Sequence, residues 1–145
     1  MSAIRALQTE LPALGERLAE MRIGPFDAQA LARYARASGD DNPLHLDDAL
    51  ARSIGLEAPP VQGMKLLAAF EPMLAAWRGD LVLTRLAGKF VQPVLRGEEV
   101  VLSGRVLRVS MADGVFLRLF AHGPTRVPAI IAEATLRLAP PGGSE

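Results

Sequence analysis

Cysteine is absent from this sequence, which excludes thiol nucleophiles, disulfide frameworks and cysteine-ligated zinc or iron–sulfur centres. Histidine is nearly absent. Only His45 and His122 occur, and two imidazoles so far apart in the chain make no multi-histidine metal site without ligands from a second chain. Neither sign of charge is in surplus, with 16 basic residues against 16 acidic ones. A nonspecific nucleic-acid binder gains affinity by releasing counterions from a cationic face, so no nucleic-acid partner is expected. No apolar run has the length that spans a bilayer, and Ser2 to Glu10, interrupted by Arg5, lacks the apolar core of a secretory signal. The expected location is cytoplasmic, away from the membrane.

What is present is a chain of 145 residues, half of them hydrophobic. A domain near this size buries roughly 68–70% of the surface its unfolded chain exposes, enough to fold without staples. We expect one domain over residues 1–145, with its core from about 15 to 138 and short flexible extensions at both ends. The C-terminal extension includes the Pro-Pro-Gly-Gly-Ser tail at 140–144.

Residues Gly15 to Ile23 are ambiguous between a strand and a helical turn, and Gly24-Pro25 ends them. Asp27 is placed to cap a helix through Ala37 that carries Leu31, Tyr34, Ala35 and Ser38 on one face and stops at Gly39. A polar loop follows, Asp40-Asp41-Asn42-Pro43-Leu44-His45-Leu46, in which Pro43 pushes Asn42 toward an extended conformation. Asp47 then caps a short helix that ends at Gly55. Gly63 to Trp77 is apolar nearly all round, which predicts a buried helix, and Pro72 should kink it or break it a turn earlier. From Leu81 the pattern turns to β, with strands predicted over Leu81 to Val91, Glu98 to Val109, Val115 to Ala121 and Val127 to Leu138, and a hairpin turn at Asp113-Gly114. One buried helix followed by four consecutive strands predicts an α+β architecture, an antiparallel sheet curled around the helix. Such a sheet leaves its edges open, so a homodimer is the expected state.

Two features carry candidate chemistry. Asp40 and His45 flank the stiffened Asn42-Pro43 bend, which can aim a carboxylate and an imidazole at one point, as acid–base work on water requires. The same residues also suit an ordinary turn, with Asp and Asn satisfying local backbone groups. A calcium loop is disfavoured, because the alternating ligands and terminal Glu of an EF-hand are missing. Further on, Gln62-Gly63 opens the apolar helix, where free N–H groups and an absent Cβ suit either an oxyanion site or plain close packing. Lys65, Arg85 and Lys89 are expected on the solvated surface, His122 in a loop, and Tyr34 and Trp77 in core or dimer packing.

The run Tyr34-Ala35-Arg36-Ala37-Ser38-Gly39-Asp40-Asp41-Asn42-Pro43-Leu44-His45 resembles the hydratase-2 signature of MaoC-like dehydratases and (R)-specific enoyl-CoA hydratases. Pro59 to Met64 is similar to the family's Pro-x-x-His-Gly-Met stretch, and Phe90 to Glu98 to its Phe-x-x-Pro-Val-x-x-Gly-Asp segment. The resemblance implies a hotdog fold, dimerised edge to edge, with reversible syn addition of water across a trans-2-enoyl thioester. It puts the catalytic carboxylate on Asp40, the catalytic imidazole on His45 and the oxyanion N–H on Gly63, with Asn42 in support. Gln62 departs from the pattern, which has His there, and is expected to shape the pocket beside the thioester. The implied chemistry needs no metal and no cofactor beyond the CoA or acyl-carrier thioester of the substrate. Two alternatives stay open: a hotdog thioesterase, and a noncatalytic acyl-thioester-binding or partner subunit.

Overall fold

The structure, a computed structural model, describes residues 10–139. The expectations for residues 2–9 and for the 140–144 tail lie outside the described residues. Among the described residues, five antiparallel strands form one sheet in the order β1-β3-β4-β5-β2. They are β1 (Met21–Ile23), β2 (Leu81–Phe90), β3 (Val100–Ser110), β4 (Gly114–His122) and β5 (Ile130–Leu138). Helices α1 (Ala28–Ser38) and α2 (Asp48–Ser53) precede a central pair, α3 (Gly63–Ala68) and α4 (Phe70–Trp77).

The central pair is the single helix that the sequence predicts, interrupted at Ala69. Pro72 has no N–H to return to the carbonyl of Ala68, so the hydrogen-bond ladder fails one turn before the proline. Leu66, Leu67, Phe70, Met73 and Leu74 of this pair are buried in one cluster with Leu102, Val106, Leu117, Leu119, Ala132 and Ala134 of the sheet. Small residues on the sheet make the seat for the helix. A Cβ on Gly88 of β2 would stand 2.8 Å from the Leu67 side chain, closer than two carbons pack.

The hotdog architecture is therefore present, a helix held by a curled antiparallel sheet, but the helix is not buried all round. Met64, Ala68, Ala75 and Ala76 are exposed, because a single sheet can cover only the side of the helix that faces it. β5 alternates, with Ile130, Ala132, Ala134 and Leu136 buried and Glu133 and Arg137 exposed.

Strand boundaries differ from expectation where local chemistry intervenes. Of Gly15 to Ile23, only Met21–Ile23 is a strand, with one isolated bridge between Arg17 and Arg105. β3 starts at Val100 because Glu98 is spent on a turn, its N–H donating to the Leu95 carbonyl and its carboxylate accepting from the Leu95 N–H. β5 starts after Pro128, which has no N–H for the ladder. His122 is not a loop residue but the last residue of β4, in register with Val101.

Candidate active site

The loop that follows α1 is built from short-range polar bonds. Asp27 caps α1 by accepting from the Ala30 N–H at 2.8 Å, and Gly39 closes it in the left-handed region at φ 79°, its N–H donating to the Ala35 carbonyl. Ser38 Oγ donates to the Tyr34 carbonyl and accepts from the Asp40 N–H. Asp40 Oδ1 accepts from the Asn42 N–H at 3.3 Å, and Asn42 Oδ1 accepts from the Leu44 N–H at 3.0 Å. Asn42 thereby caps a short 3-10 turn over Pro43–His45, with the extended ψ of 118° that a following proline imposes.

These bonds consume one oxygen of Asp40 and leave Oδ2 directed to His45, whose Nε2 lies 3.8 Å away. The other ring nitrogen, Nδ1, is 2.8 Å from the Pro60 carbonyl. A carbonyl can only accept, so Nδ1 carries the hydrogen, and in the neutral ring Nε2 presents its lone pair beside the carboxylate. At 3.8 Å the pair is too long for a direct hydrogen bond, while one water molecule between them is within reach of both. His45 is mostly buried at 15% exposure and Asp40 more open at 43%, so the imidazole is the anchored member.

Asp40 borders a cleft of about 480 Å³ that Gly63 also lines. Its floor is the buried Val61, Leu66, Val94 and Ile130, and its rim the exposed Met64, Phe90 and Val91. Among the described residues, Gln92 is the other polar residue on the wall, and no Lys or Arg lines it. The structure thus brings Asp40, His45 and Gly63 to one end of the central helix. His45 does not itself line the cleft and reaches it through the Asp40 side.

Gly63 is the first residue of α3, and its N-cap, Gln62, makes no side-chain capping bond. The opening N–H groups of a helix have no partner within it. Because α3 runs only six residues before the break, the backbone N–H itself, rather than a long helix dipole, is what this end offers. The glycine also answers a steric demand: a Cβ there would lie 2.7 Å from the Phe90 ring.

Gln62 departs from expectation. It does not line the cleft but is fully buried, and its Nε2 donates to the Leu31 carbonyl in α1 at 2.9 Å. Lys65 also differs. Its ammonium lies 5.2 Å from the centre of the Phe26 ring and 5.5 Å from that of Tyr34, a cation–π contact rather than a freely solvated chain. Arg85 and Lys89 are exposed as expected.

The sequence reading missed the Pro60 carbonyl, since a backbone acceptor leaves no signature in residue type. It also missed the bidentate pair between Arg96 and Asp48, at 2.9 and 2.7 Å, which joins the start of α2 to the segment that follows the cleft wall at Gln92 to Val94. The Arg96 hydrogen bond lowers the Asp48 pKa below its ordinary value.

A helix held in a curled antiparallel sheet, with a carboxylate beside an imidazole at the helix end, defines a hotdog protein with a polar-ended apolar cleft. Comparison with known proteins takes this further. Residues 12–116 match the model of the MaoC like domain, and the chain belongs to that family. It is 32% identical over 119 residues to the (R)-specific enoyl-CoA hydratase of Aeromonas caviae, covering 78% of this chain and 87% of that one. It is 33% identical over 87 residues to the mitochondrial 3-hydroxyacyl-[acyl-carrier-protein] dehydratase of Arabidopsis thaliana, covering 60% of this chain and 51% of the plant protein. Among solved structures, the A. caviae (R)-hydratase superposes with a TM-score of 0.80 at 27% identity, over 88% of this chain and 98% of that one. An (R)-hydratase of Pseudomonas aeruginosa shares the fold, with a TM-score of 0.78 at 22% identity over 88% of this chain and 82% of that one.

Proposed function

We infer that this chain is an (R)-specific enoyl-thioester hydratase, a hydro-lyase that reversibly adds water to a trans-2-enoyl thioester to give a 3-hydroxyacyl thioester. The observation that carries this reading is the approach of Asp40 Oδ2 to His45 Nε2 at a cleft that also holds Gly63. Family membership and the identity to the A. caviae hydratase support the same activity.

In the proposed mechanism a water held between Asp40 and His45 attacks Cβ. The anchored Nδ1–H supports His45 as the acceptor, because it leaves Nε2 free to take a proton from the water as its oxygen bonds to Cβ. Asp40 orients the same water. The alkene electron pair moves through Cα onto the thioester oxygen, where the Gly63 N–H stabilises the developing enolate. The enolate collapses as a proton is returned to Cα on the same face, so one whole water is added and the pair recovers its starting protonation. Asn42 keeps the loop in shape through its bond to Leu44. The substrate is already electrophilic at Cβ, and no step calls for a metal or redox cofactor.

We take the carrier to be CoA or acyl-carrier protein, the setting to be cytoplasmic and residues 1–145 to be one domain. Among the described residues no helix is long and apolar enough to cross a membrane. We also propose a homodimer. Strand β2 runs ten residues along one edge of the sheet and ends at Phe90 on the cleft rim, so a second copy paired there would cover the open edge and border the cleft.

The test is a panel of trans-2-enoyl-CoA substrates of different length, followed by loss of enoyl absorbance, thiol release and chirality of the product. Hydration to the (R)-3-hydroxyacyl thioester is expected. Thiol release without hydration would make the chain a thioesterase, and inertness on the whole panel would make it a partner subunit.

A further inference from the structure

Among the described residues Gln62 is the one buried polar or charged side chain, with no exposed surface at all. Its Nε2 donates to the carbonyl of Leu31, thirty-one positions earlier, while its Oε1 accepts no hydrogen bond among the described residues. A hydrocarbon side chain of similar volume would fill the same space without stranding a polar atom. The amide is therefore a poor choice for stability alone, and its one bond joins two elements that matter to the site.

The Leu31 end of that bond lies in α1, a capped helix that runs on to Ser38 and delivers Asp40 directly after the Gly39 turn. At the other end, Gln62 directly precedes Gly63 and stands two residues after Pro60, whose carbonyl holds His45 Nδ1. Asp40 thus arrives on one element, while His45 and Gly63 depend on the other. Between α1 and the 60–63 segment, the Gln62 amide is a direct, water-excluded strut.

Resting on the reading of this chain as an enoyl-thioester hydratase, we propose that Gln62 is a positioning residue, whose buried amide sets the distance between the Asp40 carboxylate and the part of the site formed by His45 and Gly63. It touches no reacting atom and does not line the cleft. Its loss should therefore act on turnover rather than on substrate binding.

The experiment compares Gln62→Met, Gln62→Asn and Gln62→His with the native chain on its best enoyl-CoA, with thermal melting in parallel. Met removes the donor, Asn is too short to span the bond, and His puts an N–H donor back. The expected result is a fall in kcat of about tenfold for Met and Asn with KM changed by less than about threefold, and recovery of most of that turnover in His. Trp77→Phe, which removes the indole bond to Glu16 at the far end of the helix pair, controls for stability and should leave kcat unchanged. Native kcat in the Asn variant would overturn the proposal even if the Met variant does not fold. A change confined to KM, or an equal loss in the His variant, would overturn it as well. Inertness of the native chain would instead count against the hydratase reading and remove this inference with it.

Discussion

At the scale of single residues, the arrangement of Asp40 and His45 makes the two side chains unequal. One Asp40 oxygen is held in the Asx turn by Asn42, and His45 is pinned through Nδ1 to Pro60. Both are expected to be required, since a positioned acid–base group contributes about 10²–10⁴ in rate. Asp40→Asn and His45→Ala should each reduce enoyl-CoA hydration by a factor in that range while the circular-dichroism spectrum and melting temperature stay close to native. Near-native turnover in either variant would remove that residue from the mechanism. Gly63 makes a different demand. A methyl group there pushes into the Phe90 ring at 2.7 Å, but that ring is half exposed and free to swing outward. Gly63→Ala should therefore destabilise only at the low end of the roughly 1–3 kcal/mol that overpacking costs. The Phe90→Ala background should absorb most of that loss. A double-mutant cycle by urea unfolding measures the coupling, expected at about 0.5 kcal/mol or more.

At the scale of elements, an ion pair ties α2 to the segment that follows the cleft wall and so bridges distant parts of the chain. Arg96 clamps Asp48 at the start of α2 and lowers its pKa, chiefly by the side-chain hydrogen bond. Arg78 lowers Asp80 in the same way after α4. A carboxylate whose folded pKa lies below its unfolded one binds fewer protons in the native state. Its contribution to stability is then complete above the ordinary value of 3.8 and is lost as pH falls from there through the depressed folded value. The melting temperature should accordingly be insensitive to these two pairs from neutral pH to about pH 5, then drop below pH 4. Arg96→Met should flatten that acid limb. An acid limb identical to that of the native protein would show that the pair does not persist in solution.

At the scale of the whole molecule, the sheet has unequal edges. β1 covers its side of β3 with only three residues, whereas β2 leaves a ten-residue edge and ends in Phe90 at 50% exposure, followed by Val91 at 42%. Long unpaired edges with apolar residues are usually paired or covered. Equilibrium sedimentation is expected to give twice the chain mass of 15.5 kDa without a monomer fraction at micromolar concentration. A folded and active monomer under those conditions would refute the dimer and leave the cleft complete within one chain.

Much of this was legible in sequence because it rests on short-range chemistry. Asp27 and Gly39 cap α1, Pro72 breaks the central helix a turn early, and the alternation of β5 marks its buried face, since each depends on backbone geometry within a few residues. The closeness of Asp40 and His45 was likewise foreseeable from the Asn42-Pro43 bend between them. Tertiary structure alone decided the direction of the Gln62 side chain, the acceptor for His45 and the partner of Asp48. Each of these is settled by a group brought from elsewhere in the chain: the Leu31 carbonyl, the Pro60 carbonyl and the Arg96 guanidinium. Two of the three are backbone atoms, identical at every residue, so no choice of side chain could announce them before the helix and the sheet had packed.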